Sequence, residues 1–265
     1  MSDNQTLVAV QEHGWRQGFN NLLGKENRAW WGTRRWLVHS LVWLAIVNGF
    51  LLLMLWVVPA SDPQESLPLE AAIEMFVILS GVFTTIGVIV LAQGAIIGEK
   101  RSGTAEWIMS SPVSRPAFII SKILANAWAI FLIMVLLQGV VFYAQLSLYE
   151  KTPLAVGPFV AVMVIQSLHL FYFLTMTLML GTFFSSRGPV IGIALAVLIG
   201  QDIVAQLLAR PLPWLHLILP QELMVNASLV ANGKPVDSWV PVIVTSIMSV
   251  LFIVAAIWRF EREEF

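Results

Sequence analysis

The apolar positions of this chain fall into six long runs separated by polar segments. Each run can cross a hydrocarbon core of about 30 Å, which takes roughly 20 helical residues. The runs are rich in Leu, Val, Ile and Phe and lack the alternation of about ten-residue strands that a membrane β-barrel shows. We therefore predict an all-α membrane protein with six transmembrane helices, over 37–58, 71–97, 117–146, 155–184, 189–208 and 239–258.

The composition agrees with lipid as the main solvent. Hydrophobic residues make up 58% of the 265 residues, charged residues make up 12%, and the mean hydropathy is +0.80. A soluble domain carries about 25% charged residues. The absence of cysteine excludes disulfides, Cys-based zinc sites, iron–sulfur clusters and thiol catalysis. With a net charge of −1 and no basic patch beyond what topology needs, we expect no nucleic-acid partner.

The positions of Lys and Arg predict the orientation of the chain. If the N-terminus is cytoplasmic, 12 of the 15 Lys and Arg residues lie inside. Only Lys151, Arg210 and Lys234 then lie outside. Cytoplasmic loops carry the excess of Lys and Arg. We therefore predict that both termini are cytoplasmic and that the protein lies in the cytoplasmic (inner) cell membrane.

Residues 15–35 precede the first run and have the pattern of an amphipathic helix. Their apolar side chains recur at helical spacing, with Arg and Lys elsewhere on the turn. Such a basic helix containing Trp is typical of a segment that lies in the membrane interface. A simple flanking segment that anchors the first span is the alternative. The residues of the apolar face are Trp15, Phe19, Leu22, Leu23 and Trp30.

The segment 98–116 is a long charged interruption between the second and third runs. Ser102 or Gly103 can cap a new helix, and Glu106 would lie in its first turn, where the helix dipole favours a carboxylate. The helix would occupy about two turns over 104–110 and would stop before Pro112. Such a segment can be a docking helix or an ordinary linker, and the spacing alone leaves both open.

Here the residues carry a resemblance to a known family. The segment resembles the conserved cytoplasmic loop of type-2 ABC-transporter permeases, and the layout of the whole chain agrees with theirs. Ala105 departs from the pattern, because a larger aliphatic residue is common there. The matching residues are Glu99-Lys100-Arg101, Gly103-Thr104, Glu106, Pro112-Val113-Ser114-Arg115 and Lys122.

The resemblance implies the membrane subunit of an ATP-driven transporter. The short helix would be a coupling helix that inserts into a separate ATPase subunit, with two ATPase copies and a second permease, identical or different, in the complex. In such a complex Gly103 frees the turn and Pro112 ends the helix. The implied contacts with the ATPase are Glu99, Arg101, Thr104, Glu106 and Arg115.

The chain itself is not expected to be catalytic. It has no GxxxxGK[ST] phosphate-binding loop, so ATP and Mg would be bound by the partner and no cofactor or metal is expected here. An exporter of a lipid, peptide, drug or other amphipathic substrate is the expected function. The sequence does not choose among these substrates.

The segment 209–238 is too long for a simple turn and holds two short apolar pieces, 214–219 and 223–230. Neither piece can span the membrane, so re-entrant or interfacial helices are expected. In the family two short outer helices narrow the exit. We predict an outer gate segment here, with a packing cap as the alternative.

Four polar side chains inside the predicted spans are candidates for the translocation pathway: Gln138, Gln166, His169 and Asp202. Polar groups at this depth usually face the bundle interior or a wet cavity. Each of them could instead make a structural hydrogen bond, and both interpretations stay open.

Other functional classes fit less well. An intramembrane protease would need a GxSG or HExxH motif, and the sequence contains neither. A secondary transporter would normally show internal repeats, and none relates 37–146 to 155–258. A mechanical or scaffold subunit of an ABC machine remains an alternative.

Overall fold

The computed structural model describes residues 14–62, 64, 66–208, 211–212 and 214–264, except for the side chains of residues 202 and 208. Over this part of the chain 81% of the residues are helical and none is in a strand. The predicted all-α class is therefore confirmed. The helices are α1 (Phe19–Trp31), α2 (Arg35–Ser61), α3 (Leu69–Arg101), α4 (Thr104–Met109), α5 (Arg115–Tyr149), α6 (Val156–Phe183), α7 (Arg187–Leu208), α8 (Glu222–Ala231) and α9 (Val240–Glu261).

Five of the helices in the described residues are long and apolar enough to cross a membrane, namely α2, α3, α5, α6 and α9. The remaining predicted span corresponds to α7, whose apolar part counted over described residues, Arg187–Gln201, is shorter than a span requires. Many large apolar side chains on the long helices point away from the protein. Leu41, Ile78, Val164 and Ile243 are more than half exposed, as lipid-facing positions are.

The long helices alternate in direction, and their contacts identify two ends of the bundle. At the end where α3 finishes and α5 starts, Arg115 donates to the carbonyl oxygen of Phe260 in α9, and Lys100 donates to that of Thr182 in α6. Most of the chain's cations belong to this end, which we call the basic end. The predicted loop 98–116 is shorter in the structure, because α3 continues helically to Arg101.

At the opposite end the described residues make neutral contacts and one ion pair. The Tyr149 hydroxyl donates to the carbonyl oxygen of Leu67 over 3.3 Å, and the Tyr143 hydroxyl donates to that of Leu154 over 2.8 Å. Lys234 is paired with Glu70 on the surface, and this hydrogen bond raises the pKa of Lys234. Surface pairs of this kind add little stability, so this end of the bundle is stabilised mainly by side-chain packing.

Several helices depart from regular α geometry, which the apolar pattern did not predict. Wider π-type turns occur at Leu44–Gly49, Leu53–Val57 and Phe131–Leu136. Helical hydrogen bonding in α3 is interrupted by turns at 93–96. Such irregular turns inside helices are frequently found at functional sites.

Close approach between α2 and α3 depends on Gly87. A Cβ atom built on Gly87 would lie 2.1 Å from Cζ2 of the Trp43 ring, far inside van der Waals contact. The ring is large and buried, so it has little room to move. A small residue at this point lets the two helices pack closely, as in other membrane bundles.

We expect Gly87→Ala to lower the stability of the bundle. Overpacking typically costs about 1–3 kcal/mol, more than the gain of up to about 1 kcal/mol from replacing a helical glycine with alanine. Thermal unfolding in detergent should show a lower Tm. Gly192→Ala is the matched control, because no atom lies within 4 Å of a Cβ there and only the propensity gain applies. Equal Tm values for the two variants would contradict the close packing described here.

Candidate functional site

The short helix α4 stands at the basic end between α3 and α5, and its start depends on a glycine. Gly103 precedes Thr104 with φ of 71°, a left-handed conformation that residues with a side chain rarely adopt. The hydroxyls of Ser102 and Thr104 lie 2.8 Å apart across this turn. The chain then turns through Pro112, and the Ser114 hydroxyl caps α5 by accepting from the amide of Ala117 over 3.1 Å.

The two faces of α4 differ in burial. Ala105 and Ile108 are buried against the rest of the protein. Glu106 and Trp107 point outward, and Trp107 is 76% exposed, the highest exposure among the large apolar side chains of the described residues. An indole this exposed buries little of its apolar surface within the chain. The outer face of α4 is therefore suited to binding another protein, since Trp is enriched at interface hot spots.

An ion cluster holds the end of α3, which leads into α4. Lys122, near the start of α5, is only 2% exposed, and its Nζ lies 2.7 Å from Oε1 of Glu26 and 2.8 Å from Oε1 of Glu99. The more exposed Lys25 also binds Oε1 of Glu99, over 2.7 Å. Three helices, α1, α3 and α5, therefore converge on one buried ammonium group.

Neighbouring groups hold Lys122 in place. Its Nζ lies 4.8 Å from the centroid of the Phe118 ring. The backbone carbonyl oxygen of Lys122 accepts from the side-chain Nδ2 of Asn126, and Oδ1 of Asn126 accepts from the Trp30 indole over 3.1 Å. Trp30 was predicted to lie on the apolar face of an interfacial helix, and in the structure this ring is buried against α5.

A second ion cluster ties the end of α3 to the tail after α9. Nζ of Lys100 lies 2.6 Å from Glu263, and Arg259 binds the other oxygen of the same carboxylate over 2.9 Å. Arg101 donates through Nε to the carbonyl oxygen of Ser185 over 2.9 Å. Arg115 donates to the carbonyl oxygens of Phe260 and Glu261.

The turn after α4 is bound to the N-terminal segment. The amide of Ser114 donates to the carbonyl oxygen of Gln17 over 3.0 Å, and its hydroxyl donates to that of Trp15. Gly18 has φ of 75°, and a Cβ there would lie 2.7 Å from Cγ2 of Val113. The N-terminal segment can follow this path only with glycine at position 18.

The seven predicted site residues of the loop thus divide into three groups. Glu99, Arg101 and Arg115 bind other parts of the same chain, Glu106 and Pro112 are exposed, and Gly103 and Thr104 form the start of α4. Sequence reasoning missed Glu26 and Glu263, the carboxylates that complete the two clusters. The available signal was Lys122 itself, because a lysine inside a membrane helix needs an anionic partner.

The predicted pathway residues whose side chains the structure describes have different surroundings. Gln138 is fully buried, and its amide accepts from Nδ2 of Asn48 over 2.7 Å and donates to the carbonyl oxygen of Ile133, in the π-type turns of α5, over 3.1 Å. Gln166 is buried, with no partner for its Nε2 among the described residues. The side chain of Asp202 lies outside the described residues.

His169 has a defined structural contact. It lies near the middle of α6, and its Nδ1 is 3.1 Å from the carbonyl oxygen of Pro220, so the ring nitrogen is the donor. Gln201 of α7, which was not among the predicted site residues, accepts from the amide of Gln221 over 3.1 Å. The two side chains together hold the backbone at 220–221.

This contact places the segment before α8 deep in the bundle. His169 lies roughly 20 Å along α6 from either end, so Pro220 is near the middle of the longest uninterrupted helix. Met224 packs against Gly81, which lies roughly 18 Å along α3. The short apolar pieces predicted in 209–238 appear as a 3₁₀ turn at Leu215–Ile218 and as α8, and the tip between them reaches the middle of the bundle.

A cavity of about 340 Å³ lies beside this tip, lined by His169, Gln201 and Gln221 together with apolar residues of α3 and α8. In the described part of the chain no three His, Asp or Glu side chains are close enough to hold a metal ion. The cavity therefore presents amide and imidazole groups within an apolar wall, a lining suited to an uncharged or amphipathic molecule.

Comparison with known proteins identifies one family model. The model described as "Protein of unknown function (DUF2705)" matches residues 37–265, which include α3 to α9, all of α2 except its first two residues, and the tip at 220–221, but not α1. A comparison with curated proteins finds no match.

We expect Lys122→Met to destabilise the protein strongly. The change leaves Glu26 and Glu99 without their buried cation, and breaking a buried ion pair by removing one partner costs about 3–5 kcal/mol. Lys25→Met is the matched control, because Lys25 binds the same oxygen of Glu99 but its side chain is 44% exposed. An exposed pair is worth about 1 kcal/mol or less. Thermal unfolding in detergent measures both, and a Lys25 variant as unstable as the Lys122 variant would contradict the central place given to Lys122.

Proposed function

The chain belongs to the family described as Protein of unknown function (DUF2705), and we propose that it is the permease subunit of an ATP-driven ABC transporter. A separate ATPase supplies the energy, and this chain supplies the membrane helices. Its transported substrate is an amphipathic molecule such as a lipid, peptide or drug, moved outward. The chain binds no ATP itself.

The exposed outer face of α4 carries the proposal. Trp107 and Glu106 project from a helix whose other face is buried. The turn after this helix is bound to the N-terminal segment through Ser114, and the adjoining ends of α3 and α5 are bound to the end of α9 and its tail through Lys100 and Arg115. A force applied to Trp107 would therefore reach several membrane helices at once. A helix built in this way is suited to couple an external motor to the bundle, which is the role of the coupling helix in type-2 ABC permeases.

The proposed topology has six spans, α7 being the fifth along the chain in addition to the five long helices, and both termini lie in the cytoplasm. Helices α6 and α7 are joined by three residues, and Arg187 at the start of α7 lies against Gly94 near the basic end of α3. Placing the basic end in the cytoplasm follows the distribution of Lys and Arg. The cytoplasmic (inner) membrane is the matching location.

The proposed complex contains two ATPase subunits and a second permease, identical or different. The pathway would pass Gln166, His169 and the cavity beside 220–221, with the re-entrant tip as the outer gate. Because His169 and Gln201 hold that tip, movement of α6 relative to α7 would open or close it.

We expect Trp107→Ala to weaken binding of the ATPase by roughly 30-fold or more, since truncation of an interface hot spot costs at least about 2 kcal/mol. Glu106→Lys should also lower binding, by reversing the charge beside the indole. The measurements are co-purification with a candidate ABC-type ATPase expressed together with this chain, and ATP hydrolysis in membranes.

Trp239→Ala is the control, because this indole is 52% exposed but lies at the start of α9, at the opposite end of the bundle. Loss of binding in the Trp239 variant alone, or normal assembly and ATP hydrolysis in both α4 variants, would reject the docking role of α4. Substrate movement that continues without any ATPase would favour a secondary transporter.

The topology can be tested with single cysteines, because the natural chain contains none. We expect Ser110→Cys, in the exposed turn after α4, to react with an impermeant maleimide only after the cells are opened. Asp237→Cys, exposed before α9, should react in intact cells. The reverse labelling pattern would invert the orientation, and labelling of both from outside would mean that the number of spans between them is even.

A further inference from the structure

A polar groove lies at the basic end beside the Lys122 cluster. Its volume is about 380 Å³, within the range of small-molecule sites. It runs between α1, the interrupted turns at 93–96 of α3, and the first residues of α2 and α7. Arg35 and Arg187, which begin α2 and α7, both line it.

The groove has more positive than negative charge. Its two carboxylates, Glu26 and Glu99, are already bound to Lys122. The Arg35 guanidinium stacks 4.4 Å from the centroid of Trp30, and that of Arg187 packs on the backbone of Gly94. Neither arginine forms an ion pair within 4 Å among the described residues. Two guanidinium groups facing one cavity are suited to a phosphate.

The same groove also contains buried acceptors without donors. Oε1 of Gln93 and Oε2 of Glu99 are shielded from solvent and have no hydrogen-bond partner in the described part of the chain. Leaving a buried acceptor unpaired is costly, more so for a charged group. A ligand that carries a hydrogen-bond donor close to its phosphate would satisfy both oxygens.

The position of the groove indicates that this ligand comes from the membrane. Arg35 and Arg187 are the first residues of apolar helices, which is the level of lipid headgroups. Val90 and Leu91 line the groove as well, and Val90 is half exposed toward the lipid side of α3. An acyl chain can follow this apolar wall while the headgroup enters the groove.

We propose that the groove binds the headgroup of an ethanolamine phospholipid. The phosphodiester lies between Arg35 and Arg187, and the ammonium group donates to Glu99 and Gln93. The lipid would fill the space between α1 and α7, which share no ion pair in the described residues, and would fasten the N-terminal helix to the bundle. The site does not depend on an ATPase partner, so its failure would leave the proposed function standing.

Native mass spectrometry of the purified protein tests the proposal. The protein in detergent is exposed to equal amounts of phosphatidylethanolamine and phosphatidylcholine with identical acyl chains. Choline keeps the phosphate and the positive charge but has no N–H donor. We expect a preference of about tenfold for the ethanolamine lipid, the size expected for a charge-assisted hydrogen bond.

Substitutions in the groove test whether the lipid binds there. Arg35→Gln combined with Arg187→Gln should lower retention of both lipids by roughly tenfold or more. Arg28→Gln with Arg34→Gln is the matched control, because these exposed arginines do not line the groove. Should the first pair disturb folding, Val90→Trp blocks the lipid-side mouth from an exposed position without changing the charge, and it should also lower retention.

Each of the other outcomes rejects one part of the proposal. Equal retention of the two lipids rejects the ethanolamine assignment. Retention that is unchanged in the Arg35/Arg187 variant and in Val90→Trp, or lowered equally in the control pair, rejects the groove as the site. The last measurement is binding of inorganic phosphate alone. If phosphate binds only when Arg35 and Arg187 are present and neither lipid is retained, the ligand of the groove is a soluble phosphate and the lipid proposal is rejected.

Discussion

The buried ammonium group of Lys122 is the constraint on which the basic end depends. A lysine inside a membrane helix is costly unless an anion and further hydrogen bonds surround it. Glu26 supplies one carboxylate from α1 and Glu99 supplies the other from α3, so satisfying one charge brings three helices to fixed positions. Because α3 runs directly into Gly103 and α4, the same cluster determines where Trp107 is presented. The exposed face of α4 has a defined position because the end of α3, which leads into it, is held by the Lys122 cluster.

The opposite half of the protein is organised by a different requirement. Non-helical backbone at membrane depth persists only where protein or a wet cavity satisfies its polar groups. His169 and Gln201 meet this need at Pro220 and Gln221. His169, which was predicted as a pathway residue, and Gln201, which was not, are therefore explained first as supports for the tip at 220–221. Their second role, facing the adjacent cavity, comes from the same position.

Features that depend on residues close together in the sequence could be predicted, whereas features that depend on distant residues could not. Helical class and the five long apolar helices follow from runs of apolar residues, which are local patterns. The turn at Gly103 is equally local, because a left-handed residue favours glycine. The pairing of Lys122 with Glu26 joins residues 96 positions apart, and no periodicity reveals such a pair. The π-type turns were not predicted for a related reason. The side chains of Asn48 and Gln138, which lie in or next to such turns in α2 and α5, hydrogen-bond to each other, and no local pattern reveals this pairing.

The order of residues in the ion cluster has a consequence for biogenesis. Translation proceeds from the N-terminus, so Glu26 and Glu99 leave the ribosome before Lys122 does. Both carboxylates are thus in place, one before the first membrane helix and one at the end of the second, when the third helix enters the translocon with its lysine. Both counter-ions of Lys122 are therefore already synthesised when the third helix is inserted, so this order allows its charge to be paired without partitioning alone into lipid. A chain with the same pairs in the reverse order would expose an uncompensated lysine while its partners were still being synthesised.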